Sequence, residues 1–153
     1  MAVDPIPSEH PRVCPYLIVD GASDAIKFYA GVFGTAERMR LPGPAGRLGH
    51  AELQLGGSVI MLADSHPEMD IRSPKDIGGS PITMAVYVEN VDATFAAALA
   101  AGATSIQPVE DKFYGDRAGQ FEDPFGHRWS VMSHIEDLPA EEMNRRAGAA
   151  AST

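Results

Sequence analysis

At 153 residues, with 44% apolar and 22% charged side chains, the chain has the length and composition of one soluble globular domain, able to bury roughly 70% of its unfolded surface. A formal net charge of −9 argues against a nucleic-acid partner, and no run of 18 apolar residues offers a membrane span. A single cysteine excludes an internal disulfide, and the first ten residues lack the basic and apolar regions of a signal peptide, so a cytoplasmic protein is expected.

Residues 1–12 form a proline-bearing arm without periodicity. Residues 13–19 alternate and are rich in β-formers, which predicts a strand. Ser23 or Asp24 is placed to cap a helix whose apolar face is Ala25, Ile26, Phe28, Tyr29, Val32 and Phe33, ending at Gly34. A strand is predicted over 35–41, stopped by Pro42-Gly43-Pro44. A hairpin follows over 47–63, turning at Gly56-Gly57. Three prolines and two glycines in 64–81 read as a linker between halves.

The second half repeats the order: a strand over 82–88, a helix over 91–101 closed by Gly102, a strand over 104–109, and a hairpin turning at Asp123-Pro124-Phe125-Gly126. The helix starts align at an offset of 68 residues, and the first and last strands align at 69. Cys14 then pairs with Thr83, and Met61 with Ser130. Residues 137–146 read as a short helix, and 147–153 as a frayed tail.

Two βαβββ modules in tandem, with Phe28-Tyr29 in the first helix and Asp123-Pro124-Phe125-Gly126-His127 in the last hairpin, resemble the vicinal-oxygen-chelate superfamily. That group includes glyoxalase I, bleomycin-resistance proteins and extradiol dioxygenases. The wording at Pro15-Tyr16-Leu17, His50-Ala51-Glu52-Leu53, Phe113-Tyr114-Gly115-Asp116-Arg117 and His127-Arg128-Trp129 is most similar to its PhnB-like branch. The resemblance spans about residues 12 to 136. It implies an α+β fold of one domain over 1–153. Modules at about 12–64 and 81–135 form curved mixed sheets around a cavity, with a C-terminal helix and tail at 136–153.

Strand alternation then assigns faces. Leu17, Val19, Ala51, Leu53, Leu55, Trp129 and Val131 should pack against the helices. Cys14, Tyr16, Ile18, His50, Glu52, Gln54, Arg128, Ser130 and Met132 should face the concave side. Metal-dependent members carry His or Glu at the positions matching Cys14, Met61, Thr83 and Ser130. A thioether and two hydroxyls suit a divalent ion poorly, so no metal and no cofactor are expected.

The candidate ligand contacts are Tyr16, His50, Glu52, Tyr87, Tyr114, Arg128 and Ser130. Arg128 either neutralises Glu52 across the cavity or anchors an acidic ligand group. His10 and His66 read as loop residues without partners, His134 as a surface pair with Glu136, and His127 as a cap on the hairpin. Asp116 and Arg117 form an ion pair on this reading, and no residue is assigned as catalytic. Two classes of function stand. One is a metal-free protein binding a small organic ligand; the other is an enzyme using His50, Glu52 or Tyr114 for proton transfer. A homodimer is expected, as is usual in the family.

Overall fold

The computed structural model describes residues 2–153. They divide into two compact units, one running to Ser80 and one from Pro81. Each unit is a βαβββ module built on a curved, open, four-stranded mixed sheet.

The first unit contains β1 (Tyr16–Val19), α1 (Ala22–Phe33), β2 (Ala36–Pro42), β3 (Leu48–Leu55) and β4 (Ser58–Asp64). Strand order is β1-β4-β3-β2, with β1 parallel to β4 and the remaining pairs antiparallel. The second unit repeats this as β5 (Thr83–Tyr87), α3 (Val91–Ala100), β6 (Thr104–Asp111), β7 (Asp116–Glu122) and β8 (Arg128–His134), in the order β5-β8-β7-β6. Tyr16 lies opposite Met61 and Ala85 opposite Ser130, so both strands of the parallel pair carry the 69-residue offset. Strand β1 is shorter than expected. Cys14 precedes it, and the Cys14 thiol donates to the Pro11 carbonyl instead of joining the sheet.

Helix α1 buries Ala22, Ala25, Ile26, Phe28, Tyr29 and Val32, a stripe at helical spacing laid on Leu17, Val19, Ala51, Leu53 and Leu62. Its start differs from the sequence reading, because neither Ser23 nor Asp24 caps it. Asp64, at the end of β4, accepts from the backbone N–H of Gly21 (3.1 Å) and Ala22 (2.7 Å), and its second oxygen accepts from Leu48 (2.6 Å). One carboxylate thus satisfies free N–H groups at a helix start and ties it to β3 and β4. The helix stops at Gly34, whose φ of 72° is open to glycine at little cost.

In the second unit, Val91, Phe95 and Ala98 of α3 pack on Phe121, Trp129 and Val131. Phe95 meets Phe121 edge to face at 6.1 Å. Gly119 is what lets the helix approach, since a Cβ there would come within 2.8 Å of Val109 Cγ2 and 3.1 Å of the Phe95 ring. The turn at 123–126 is held by Asp123, which accepts from the N–H of Phe125 and His127 (both 2.9 Å) and from Trp129 Nε1 (2.8 Å).

Two segments hold more regular structure than the sequence reading gave them, the linker and the tail after residue 146. Residues 64–80 belong to the first unit and carry α2 (Pro74–Ile77), opened by a capping box between Ser73 and Asp76. The last helix, α4, is Ala140–Ala151. It starts late because Pro139 disfavours helical backbone at the residue before it, and it runs on through an alanine-rich stretch of high helix propensity.

Candidate functional site

In the first unit Tyr16, Met61, Glu52 and Met39 lie opposite one another across all four strands, forming one row of the open sheet face. Tyr16 is 48% exposed, yet Glu52 is only 6% exposed. Two neighbours account for the difference. The N-terminal arm brings His10 Nε2 to within 3.1 Å of both Glu52 oxygens. A register shift between Glu37 and Met39 marks a bulge at Arg38, whose guanidinium reaches Glu52 at 3.6 Å and the Glu9 carbonyl at 3.2 Å.

His50 completes the network. Its Nε2 lies 3.2 Å from Glu52, and its Nδ1 lies 2.8 Å from the Tyr16 hydroxyl. A carboxylate only accepts, so His50 Nε2 donates to Glu52, and with Nδ1 as the acceptor the Tyr16 hydroxyl donates to His50. The sequence is carboxylate, imidazole, phenol, the order of a proton relay that ends on an exposed hydroxyl. Burial alone would raise the Glu52 carboxyl, but hydrogen bonds from His50 and His10 and the charges of His10 and Arg38 hold it below its usual range. Burial, then the Glu52 charge, push the Tyr16 phenol above its ordinary value, so it stays protonated at neutral pH.

Tyr16 also lines a pocket of about 290 Å³. Ile18 and Ala63 give it an apolar floor from the sheet, and Pro44 closes one side. His66, Met69 and Ile71 form the remaining wall, all from the segment first read as a linker. That wall is braced. His66 and Ile71 exchange backbone hydrogen bonds (2.7 and 3.1 Å). Asp76 accepts from the Ser73 N–H (2.8 Å) and from the hydroxyls of Ser73 and Ser65. The signal was present in the sequence, as Ser73-Pro74-Lys75-Asp76 has capping-box spacing with proline at the first helical position.

His10 and His66 therefore correct the sequence reading, since each has partners. His10 meets Glu52, and His66 Nδ1 accepts from Arg47 at 2.9 Å. Both contacts span sequence separations that local pattern does not reveal.

The remaining candidates lie in the second unit, where two groups form. Tyr87 donates to Asp116 at 2.8 Å, and His134 bridges Asp116 and Asp137, each at 2.8 Å. His134 is accordingly raised above its ordinary value, first by the Asp116 hydrogen bond and then by Asp137. Tyr114 stacks edge-on against Phe113 at 5.3 Å, in the turn before β7. Arg128 sits four residues along from this cluster, since it faces Thr83 where Met132 faces Tyr87, roughly 13 Å at strand spacing. It is half exposed and pairs with Glu122 at 3.7 Å. Ser130 lies between Ala85 and Gln120.

Glu52 takes charge partners from His10, His50 and Arg38 of its own unit. Two pairings are corrected. Arg117 points away from Asp116, to Asp92 and Asp111 (2.8 and 2.9 Å), because adjacent strand residues face opposite sides. Glu136 pairs with Arg146 of α4, leaving His134 to the two aspartates.

The four positions that hold a metal in metal-dependent relatives do not fit one. Cys14 lies outside its strand, and Met61, Thr83 and Ser130 offer a thioether and two hydroxyls.

The comparisons match this architecture. Residues 10–131 match the Glyoxalase/Bleomycin resistance protein/Dioxygenase superfamily. An uncharacterized protein of Mycobacterium bovis is 42% identical over 136 residues, covering 87% of this chain and 90% of its own. TioX from Micromonospora is 28% identical with a TM-score of 0.62, over 82% of this chain and 99% of its own. The PhnB protein of Bacillus cereus has a TM-score of 0.63 at 19% identity, over 80% and 99%, a likeness of fold. With the repeated βαβββ register and a superfamily match over most of its length, the chain belongs to the glyoxalase/bleomycin resistance protein/dioxygenase superfamily.

Proposed function

We propose that this protein binds a small organic molecule without a metal, and that the pocket of the first unit is its binding site. The carrying observation is the pocket itself, about 290 Å³, apolar on most sides and walled by a segment braced through Asp76. That volume lies at the lower end of the range for small-molecule sites. A net charge of −9 supports small molecules over nucleic acid or an anionic membrane as partners.

The test is a fragment screen by thermal shift, with and without chelator, followed by NMR on protein labelled at the Met and Ile methyls. Bound fragments should move the signals of Ile18, Met69 and Ile71, and chelator should change nothing. A screen in which no fragment moves those methyls would sink the proposal.

One observation favours a second reading, an enzyme that transfers protons. The Glu52–His50–Tyr16 chain ends on a residue lining the same pocket, where Tyr16 can pass its proton to His50 Nδ1, with Glu52 stabilising the imidazolium, so that the phenolate oxygen takes the proton from a substrate carbon. Hydrogen–deuterium exchange at the α carbon of acetophenone measures such an activity. Acceleration by the protein that is lost in Tyr16→Phe, with binding retained, would support it. An unaccelerated exchange leaves binding as the function.

A further inference from the structure

His66 is the most deeply buried imidazole of the first unit, and nothing in the relay uses it. Arg47 donates to its Nδ1 at 2.9 Å, and arginine has no acceptor to offer. Nδ1 is therefore unprotonated, and the imidazole proton sits on Nε2 at the far edge of the ring. Arg47 is held in place by the Ser65 carbonyl and Glu68, both at 3.0 Å, and Glu68 approaches His66 Nδ1 to 3.7 Å. The charged groups thus gather on the Nδ1 side. The His66 side chain is 5% exposed and lines the pocket, and Nε2 meets no acceptor among the described residues. An N–H without a protein acceptor on a residue that lines an apolar pocket is open to an acceptor brought by a ligand.

We infer that His66 Nε2–H is the specificity anchor of the pocket, selecting apolar molecules that carry one hydrogen-bond acceptor of the carbonyl type. This rests on the pocket being the ligand site. The pocket gives the rest of such a ligand a hydrocarbon surface in Ile18, Ala63, Met69 and Ile71. It offers no carboxylate to a cationic ligand, since neither its sheet floor nor its loop wall contributes one. A ketone, ester or amide of about the size of one aromatic ring meets both conditions, whereas the matching hydrocarbon leaves the donor unpaired.

The experiment titrates the full chain, labelled with ¹⁵N at histidine, with acetophenone and with ethylbenzene. The expected result is an Nε2–H tautomer for free His66, binding of acetophenone about tenfold tighter than ethylbenzene, and a shift of the His66 Nε2 signal with the ketone alone. A tenfold preference is the size expected of one net hydrogen bond. In His66→Phe the two molecules should bind equally, and His66→Gln, which returns an N–H near the Nε2 position, should restore part of the preference. If His66→Phe does not fold, the tautomer and the ligand shift in the native chain decide. Equal binding of both molecules with His66 unmoved, as when only water meets Nε2, overturns the anchor and leaves the pocket standing. An Nδ1–H tautomer overturns it as well. Failure of both molecules to bind or to move the pocket methyls removes the pocket itself, and the anchor with it.

Discussion

Glu52 sits at 6% exposure with its carboxylate shared among His10, His50 and Arg38. A buried carboxylate is stable only while paired, and breaking such a pair by removing one member costs roughly 3–5 kcal/mol. Glu52→Ala should therefore lower stability to urea by about that much at pH 7. Glu52→Gln, which keeps an acceptor oxygen, should lower it by less. The pH dependence has a definite sign. Burial pushes the carboxyl up, but the bonds from His50 and His10 and the charges of His10 and Arg38 prevail and hold it below its unfolded value of about 4.3. Its contribution is thus complete above that value and is lost as pH falls through the folded one. The stability gap between the native chain and Glu52→Gln should close as the medium is acidified below about pH 4; a gap constant down to pH 2 would contradict the assignment. Alternation was enough to put Glu52 on the open face. That it is buried there depends on a folded-back arm and a bulge, and neither has a local sequence signature.

Among the elements, the least regular one shapes the pocket. Residues 65–77 contain only a 3-10 turn at Pro67–Met69 and a short helix, yet Ser65, His66 and Ser73 are buried in this segment. Asp76 gathers the Ser65 hydroxyl with the N–H and hydroxyl of Ser73, so one side chain fixes both ends of the wall. Asp76→Ala should loosen this segment while sparing the sheet, since its loss costs about 1–2 kcal/mol of local capping stability. Hydrogen exchange should quicken over 66–77 and stay unchanged in β3 and β4, and any ligand of the pocket should bind more weakly. Global unfolding, or unchanged exchange in that stretch, would refute this role. The regular elements were legible because a strand or helix repeats a local pattern over several residues. The Asp64 contacts with Gly21 and Ala22 were not, since they join positions 43 and 42 residues apart.

At the scale of the whole chain, the duplication was the most legible feature. The opposition of Tyr16 to Met61 and of Ala85 to Ser130 reproduces the offset read from the sequence. What differs between the two halves is chemistry, a Tyr–His–Glu relay in one and a Tyr–Asp–His cluster in the other. Assembly is a separate matter, and we propose that two chains pair. Leu41 (49%), Ile82 (65%) and Tyr87 (63%) are apolar side chains left exposed, the kind of surface that association covers. A standard interface takes about 800 Å² from each partner, roughly a tenth of the 9050 Å² this chain exposes. Opposing it, each chain carries a formal charge of −9, so two copies repel at long range. Salt screens that repulsion over about 10 Å at 0.1 M, while apolar contact is not weakened by it. The dimer should therefore tighten as salt rises. Sedimentation velocity at tens of micromolar, run at low and at moderate salt, should show the dimer fraction growing with salt. A single monomeric species at every salt concentration would refute pairing, and a dimer that dissociates as salt rises would mean that ion pairs, not apolar contact, hold it.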